Sequence, residues 1–119
     1  MKIAVSSQGK ILDSQIDPRF GRAAYILVID TVSNGVEVLD NSENLNAFKG
    51  AGIQAAALVS DSGAEVLLTG FCGPNAFKTL QAAGVKVAND VTGTVRDALK
   101  ALNEGSVSFA DDANVEGQW

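Results

Sequence analysis

Apolar residues come in short bursts along the first third of the chain and at helical intervals after it. Ile3-Ala4-Val5 is a brief apolar run, and Ala24 to Ile29 is longer, rich in branched residues and closed by Asp30. Both fit strands buried on two faces. Asn34-Gly35 is a two-residue turn signal, and the alternation Val36-Glu37-Val38 behind it predicts an antiparallel hairpin with the second strand. Beyond the polar stretch Asn41 to Asn46, Ile53, Ala56, Ala57 and Ser60 fall on one helical face, with Gly63 placed to end the helix. Val66 to Thr69 is the next strand; Pro74 then opens a helix carrying Phe77 and Leu80 and stopped by Gly84. Val85 to Ala88 is a last short strand. A capping box, Thr94-Val95-Arg96-Asp97, starts a helix whose apolar face is Val95, Ala98, Leu99 and Leu102 and whose end lies near Gly105.

The resulting order, β-β-β-α-β-α-β-α, predicts an α/β domain: a mixed sheet of five strands with helices packed on it and mainly parallel strands in its second half. At 119 residues and 46% hydrophobic content there is material for one core, not two. The expected domain spans 1–105, followed by an acidic, partly mobile tail over 106–119. Met1 to Ser6 fits a first strand better than a secretory segment, and no apolar run is long enough to cross a membrane. A cytoplasmic location is the expectation.

Charge and residue usage narrow the chemistry. A net charge of −5 argues against nucleic acid and anionic lipid as partners. Asp111, Asp112 and Glu116 lie in the tail, so the body itself is only mildly acidic. There is no histidine, and Cys72 is the only thiol. An intrachain disulfide is impossible, a zinc, copper or iron–sulfur cage cannot be assembled from this chain's Cys and His, and histidine acid–base chemistry is excluded.

Three loops instead suit an anion. In Thr69-Gly70-Phe71-Cys72-Gly73-Pro74-Asn75, a strand runs into a glycine-bracketed turn and a helix start, where backbone N–H groups are unsatisfied. Gly70 and Gly73 permit close backbone approach, and Asn75 adds a side-chain donor. The same glycines also fit a tight turn chosen for geometry alone, and the spacing is neither a Walker loop nor a complete dinucleotide fingerprint. In Asp17-Pro18-Arg19-Phe20-Gly21-Arg22, two guanidinium groups flank an aromatic ring and can clamp an anion; alternatively Arg19 pairs with Asp17 and Phe20 is core. Lys49-Gly50-Ala51-Gly52 places a cation and free N–H groups at a helix start. Cys72 sits within the first of these loops, yet a lone cysteine is more often structural than reactive.

The element order resembles the ribonuclease H-like arrangement, whose nucleases hold two metal ions on carboxylates, one of them from the first strand. Here that strand, Ile3-Ala4-Val5-Ser6-Ser7, carries no acid. Taken together, Asp17 to Arg22, Gly50-Ala51-Gly52-Ile53-Gln54-Ala55-Ala56 and Thr69 to Phe77 resemble the dinitrogenase iron-molybdenum cofactor biosynthesis family, over Met1 to about Glu104. The resemblance implies a ribonuclease H-like sheet without nuclease activity and a role in carrying molybdenum-containing clusters. For the small histidine-free branch of that family it implies a molybdenum-copper sulfide cluster, anionic and held without covalent protein ligands. The expected contacts are Arg19, Phe20, Gly21, Arg22, Lys49, Gly50, Gly52, Gly70, Phe71, Cys72, Gly73 and Asn75, and no enzymatic activity is expected. The competing expectation is an adaptor domain that binds partner proteins such as P-loop ATPases, with Phe71, Trp119 and the acidic tail as contacts.

Overall fold

A computed structural model of the chain describes residues 1–45 and 50–111. Lys49, Trp119 and the tail from 112 onward lie outside the described residues. The strands are β1 (Lys2–Ser7), β2 (Tyr25–Asp30), β3 (Val36–Asp40), β4 (Val66–Leu68) and β5 (Lys86–Ala88). The helices are α1 (Ser42–Leu45), α2 (Ala51–Asp61), α3 (Pro74–Ala82) and α4 (Val95–Asn103). This is the anticipated order with two additions, the single turn α1 in what sequence suggested was a plain polar connection and a 3-10 turn, Phe20–Arg22, ahead of β2.

The five strands form one sheet ordered β3-β2-β1-β4-β5. β1 pairs antiparallel with β2 and β2 with β3; β1 pairs parallel with β4 and β4 with β5. Period-2 alternation divides the strand residues between two cores. Ala4, Ile26, Val28, Leu67 and Val87 face α2 and α3, which contribute Ala55, Ala56, Val59, Ala76, Phe77 and Leu80. Ile3, Val5, Leu27, Ile29, Val66 and Leu68 face the other way, against Val95 and Ala98 of α4. The central strands are covered on both sides, which is why they read as unbroken apolar runs.

Two local expectations need correction. The turn between β2 and β3 is not confined to Asn34-Gly35. Asp30 N–H donates to Gly35 O at 2.9 Å, so the turn spans Thr31 to Asn34, with Asn34 left-handed at φ 63°. The Asp30 carboxylate selects this longer loop by accepting from the N–H groups of Val32 and Ser33. In α2 the buried face is Ala51, Ala55, Ala56 and Val59, whereas Ile53 is 45% exposed and Ala57 is exposed too. Small alanines let α2 lie close to the sheet, and the larger Ile53 is turned toward the helix start. The stop signals hold: Gly63, Gly84 and Gly105 all have positive φ just past a helix.

Because β1 and β4 run parallel, their carboxyl ends lie at the same edge of the sheet. The register Ser7↔Tyr25 and Tyr25↔Asp40 brings the start of β2 and the end of β3 to that edge as well. After α4 the chain returns to β5, where Phe109 bridges Ala88 and Ala110 N–H donates to Val87 O at 2.7 Å.

The capping box at α4 is complete: Thr94 Oγ1 accepts from Asp97 N–H and the Asp97 carboxylate accepts from Thr94 N–H, both at 3.0 Å. Thr94→Ala should therefore lower the unfolding free energy by about 1 kcal/mol in a urea titration, and an unchanged midpoint would contradict this. The carboxyls of Asp97, Asp30 and Asp40 are all held below their ordinary value of 3.8 by hydrogen bonds they accept, from Thr94, from Val32 and Ser33, and from Ser42 respectively. A carboxyl depressed in the folded state adds stability above its unfolded pKa, and loses it as pH falls through the folded one. Stability should thus decline as pH drops from 3.8 downward, less steeply in Asp97→Asn; equal acid slopes for wild type and variant would exclude Asp97 as a contributor.

Candidate functional site

At the carboxyl edge, a buried polar knot ties the two central strands to the first loop. Ser6 Oγ donates to Asp17 O at 2.7 Å and shares a 2.8 Å hydrogen bond with Thr69 Oγ1, and both hydroxyl residues are fully buried. Main-chain bonds then zip the first loop to the third: Phe71 N–H donates to Pro18 O at 2.6 Å and Phe20 N–H to Phe71 O at 3.2 Å. Gly70 makes this possible, since a Cβ there would lie 2.7 Å from Pro18 Cα and 2.9 Å from its carbonyl oxygen. Gly21 does the same on the other side: its Cβ would lie 2.8 Å from Gly52 N and 2.9 Å from Gly52 Cα. Two missing methyl groups therefore let three loop backbones meet.

Their meeting place is a small crevice of about 50 Å³, open on one side to solvent. Phe20 and Gly21 line it from the first loop, Gly50, Gly52 and Ile53 from the start of α2, and Gly73, Asn75 and Ala76 from the start of α3. In α2 the first helical donor is Gln54 N–H, to Gly50 O, and in α3 it is Phe77 N–H, to Gly73 O. The N–H groups of Gly52, Ile53, Asn75 and Ala76 precede those donors and belong to the unsatisfied first turns. Gly50, left-handed at φ 82°, sets the entry into α2, and Pro74 starts α3 without needing a donor of its own. Two helix N-termini, each carrying about half a positive charge, thus open on one cavity.

The sequence-derived contacts divide into two groups. Phe20, Gly21, Gly50, Gly52, Gly73 and Asn75 line the crevice. Arg19, Arg22, Gly70, Phe71 and Cys72 do not, and Lys49 lies outside the described residues. Arg19 takes the alternative open to it in sequence: its Nε is 3.6 Å from Asp17 Oδ1, and its N–H donates to the same oxygen at 3.0 Å. Arg22 is half-buried at the end of a single 3-10 turn, Phe20–Arg22, its N–H bonded to Arg19 O. Gly70 serves the approach of Pro18, and Phe71, 38% exposed, serves through its backbone. Cys72 is fully buried in the core beneath α2 and α3, where burial pushes its thiol up to about 12. It is a neutral, inward-facing hydrophobe.

None of the described residues lining the crevice carries a charge. The helix starts bring main-chain dipoles to it, and Phe20 and Ile53 form apolar walls. Sequence reasoning missed Ile53 and Ala76 as wall residues. Helical spacing alone puts Ile53 on a core face; the signal available was its position within the first turn after Gly50. Among the described residues no group of three or more His, Cys, Asp or Glu could hold a metal ion, and no helix is long and apolar enough to cross a membrane.

A mixed five-stranded sheet that gathers two helix starts around one crevice defines a class of small α/β proteins. The chain belongs to the dinitrogenase iron-molybdenum cofactor family, whose model matches residues 1–105. It is similar to the apo form of the orange protein (ORP) from Desulfovibrio gigas: 46% identity, a TM-score of 0.93, and 96% of each chain covered. A Thermotoga protein provisionally named NifB is 39% identical at a TM-score of 0.85, with 98% of each chain covered. A protein from Methanocaldococcus jannaschii, provisionally named a dinitrogenase, shares the fold at 16% identity and a TM-score of 0.70, over 94% of this chain and 96% of that one. No curated protein matches the sequence.

The close approach at Gly21 is testable without any ligand. Gly21→Ala should destabilise the fold by about 1–3 kcal/mol in denaturant titration, because the added methyl meets backbone that cannot swing away; wild-type stability would contradict that contact. Cys72 should resist a disulfide-exchange reagent at pH 8 in the folded protein and react stoichiometrically once guanidinium unfolds it. Prompt labelling of the native protein would refute the buried assignment.

Proposed function

We propose that the protein is a non-enzymatic carrier of an anionic molybdenum-copper sulfide cluster, held non-covalently in the crevice between the first turns of α2 and α3. The observation that carries this reading is that Gly52, Ile53, Asn75 and Ala76, residues of the first turns of two helices, line one cavity with no carboxylate among its described lining residues. The 46% identity to the orange protein supports it, as does membership of the iron-molybdenum cofactor family.

The donor set fits such a guest. A preassembled metal sulfide already has its coordination filled and presents soft, weakly hydrated sulfur atoms at its surface. It asks for hydrogen-bond donors and apolar contact, not for thiolates or imidazoles. N–H groups fixed in two helix starts supply the donors, and no reorganisation is required of them. Phe20, anchored in the core at 1% exposed, gives a rigid apolar floor, and Ile53 an apolar rim. A free metal ion finds no such match, so the carrier would take up the finished cluster. The same reading places the carrier in the cytoplasm, in keeping with a single buried thiol.

Mixing the apo-protein with thiomolybdate and a copper salt, then desalting, should leave molybdenum and copper co-eluting with visible colour; a colourless, metal-free protein would overturn the proposal. Asn75→Asp sharpens the test, because its two effects have opposite sign. A carboxylate in the first turn of α3 favours the helix dipole and should preserve stability. The same carboxylate at the crevice repels an anion and should lower cluster retention about ten-fold. Undiminished retention in Asn75→Asp would remove this crevice as the binding site.

A further inference from the structure

We infer that Asn41 is a positioning residue that sets the Gly21 wall of the crevice from behind, so that anion retention depends on a side chain that does not line the cavity. The inference rests on the carrier reading above. It begins from a side chain whose every polar group is committed. Asn41 follows directly on β3 and is 1% exposed, deep for an amide. Its backbone N–H donates to Ala24 O at 3.0 Å. Its side-chain Nδ2 donates twice, to Ala23 O at 2.8 Å and to Gly21 O at 3.3 Å. Its Oδ1 accepts from Asn44 Nδ2, and Asn44 N–H returns to Asn41 O at 2.9 Å. Asn44, on α1, is itself 6% exposed.

Both amide hydrogens are therefore spent on the segment just before β2, and Asn44 fixes which way the amide points. What is held is the carbonyl of Gly21, a residue whose Cα abuts Gly52 with no room for a methyl group. Gly21 is pinned between Asn41 and α2. The Gly52 amide nitrogen is the backbone atom nearest that contact. A shift of a few tenths of an ångström in Gly21 is felt at the first turn of α2, because a close-packed contact transmits displacement. The short helix α1, which sequence reasoning did not foresee, thus orients the amide that places the wall.

The sharpest test replaces Asn41 by a residue of the same shape that, when ionised, donates nothing, with all measurements made at pH 8. In Asn41→Asp the Asn44 bond persists, while the Ala23 and Gly21 carbonyls lose their donor. Val95→Ala, on the opposite core, is the control for loss of stability alone. Both variants and wild type are loaded with thiomolybdate and copper at a temperature where all three are folded by circular dichroism. Amide NMR spectra are recorded without guest. We expect Asn41→Asp to shift the Gly21, Gly52 and Ile53 amides and to lower retention about ten-fold, with Val95→Ala unchanged in both. Wild-type retention in folded Asn41→Asp, or an equal loss in Val95→Ala, would overturn the inference. Should Asn41→Asp not fold, Asn44→Ala removes only the orienting bond; it must show the same amide shifts and a smaller loss, and the absence of shifts there overturns the inference too. The guest-free spectra separate failures: unshifted amides refute the clamp, whereas shifted amides with no retention even in wild type refute the carrier reading on which it rests.

Discussion

Backbone-to-backbone contact at two glycines is the constraint from which the rest of this molecule follows. Gly70 against Pro18 and Gly21 against Gly52 each bring main chains closer than any side chain permits. With those approaches in place, a loop preceding β2, the entry to α2 and the entry to α3 share one cavity. Without them the same elements would make the same sheet, and the helix starts would open separately onto solvent. The sheet supplies the platform, because its parallel centre brings the ends of β1 and β4 to one edge. The buried Ser6–Thr69–Asp17 knot holds the first loop to that edge without spending an exposed charge.

Among the described residues the crevice walls are main chain, apolar side chains and Asn75, with Arg19 and Arg22 outside the lining. An acidic chain that binds an anion needs positive potential that does not depend on net charge, and helix N-termini provide it locally. Neutral donors have a further consequence. A lysine or arginine at the same place would draw strongly hydrated phosphate and sulfate as readily as anything else. Fixed amides beside Phe20 and Ile53 favour a guest that sheds water easily and tolerates apolar contact. The thiol at Cys72 is buried with the side chains that seat α2 and α3.

Much of this was legible in the sequence, and for reasons that can be named. Strands buried on both faces give dense apolar runs, so β2 and β4 stood out. Thr94 and Asp97 announced α4 because a capping box is a local device, complete within one turn. Gly50, Gly73 and Asn75 could be placed at helix starts, because the positions following a helix-opening glycine or proline are where free N–H groups must lie, and they line the crevice. What escaped was everything decided by tertiary neighbours. The turn at Asn34 lengthened because the Asp30 carboxylate claimed two amides beyond the reach of a dipeptide rule. Ile53 left the core because Ala51, Ala55 and Ala56 seat the helix closer than a larger residue would. Gly70 carries the same glycine signature whether its neighbour is a ligand or Pro18, and only the fold distinguishes them.

The most direct test of the central claim is an amide NMR titration of the apo-protein with thiomolybdate and copper. The account predicts that the Gly52, Ile53, Asn75 and Ala76 N–H resonances shift together as the coloured complex forms, while Cys72 stays reduced and unperturbed in reactivity. Shifts centred elsewhere, with those four amides unmoved, would contradict it.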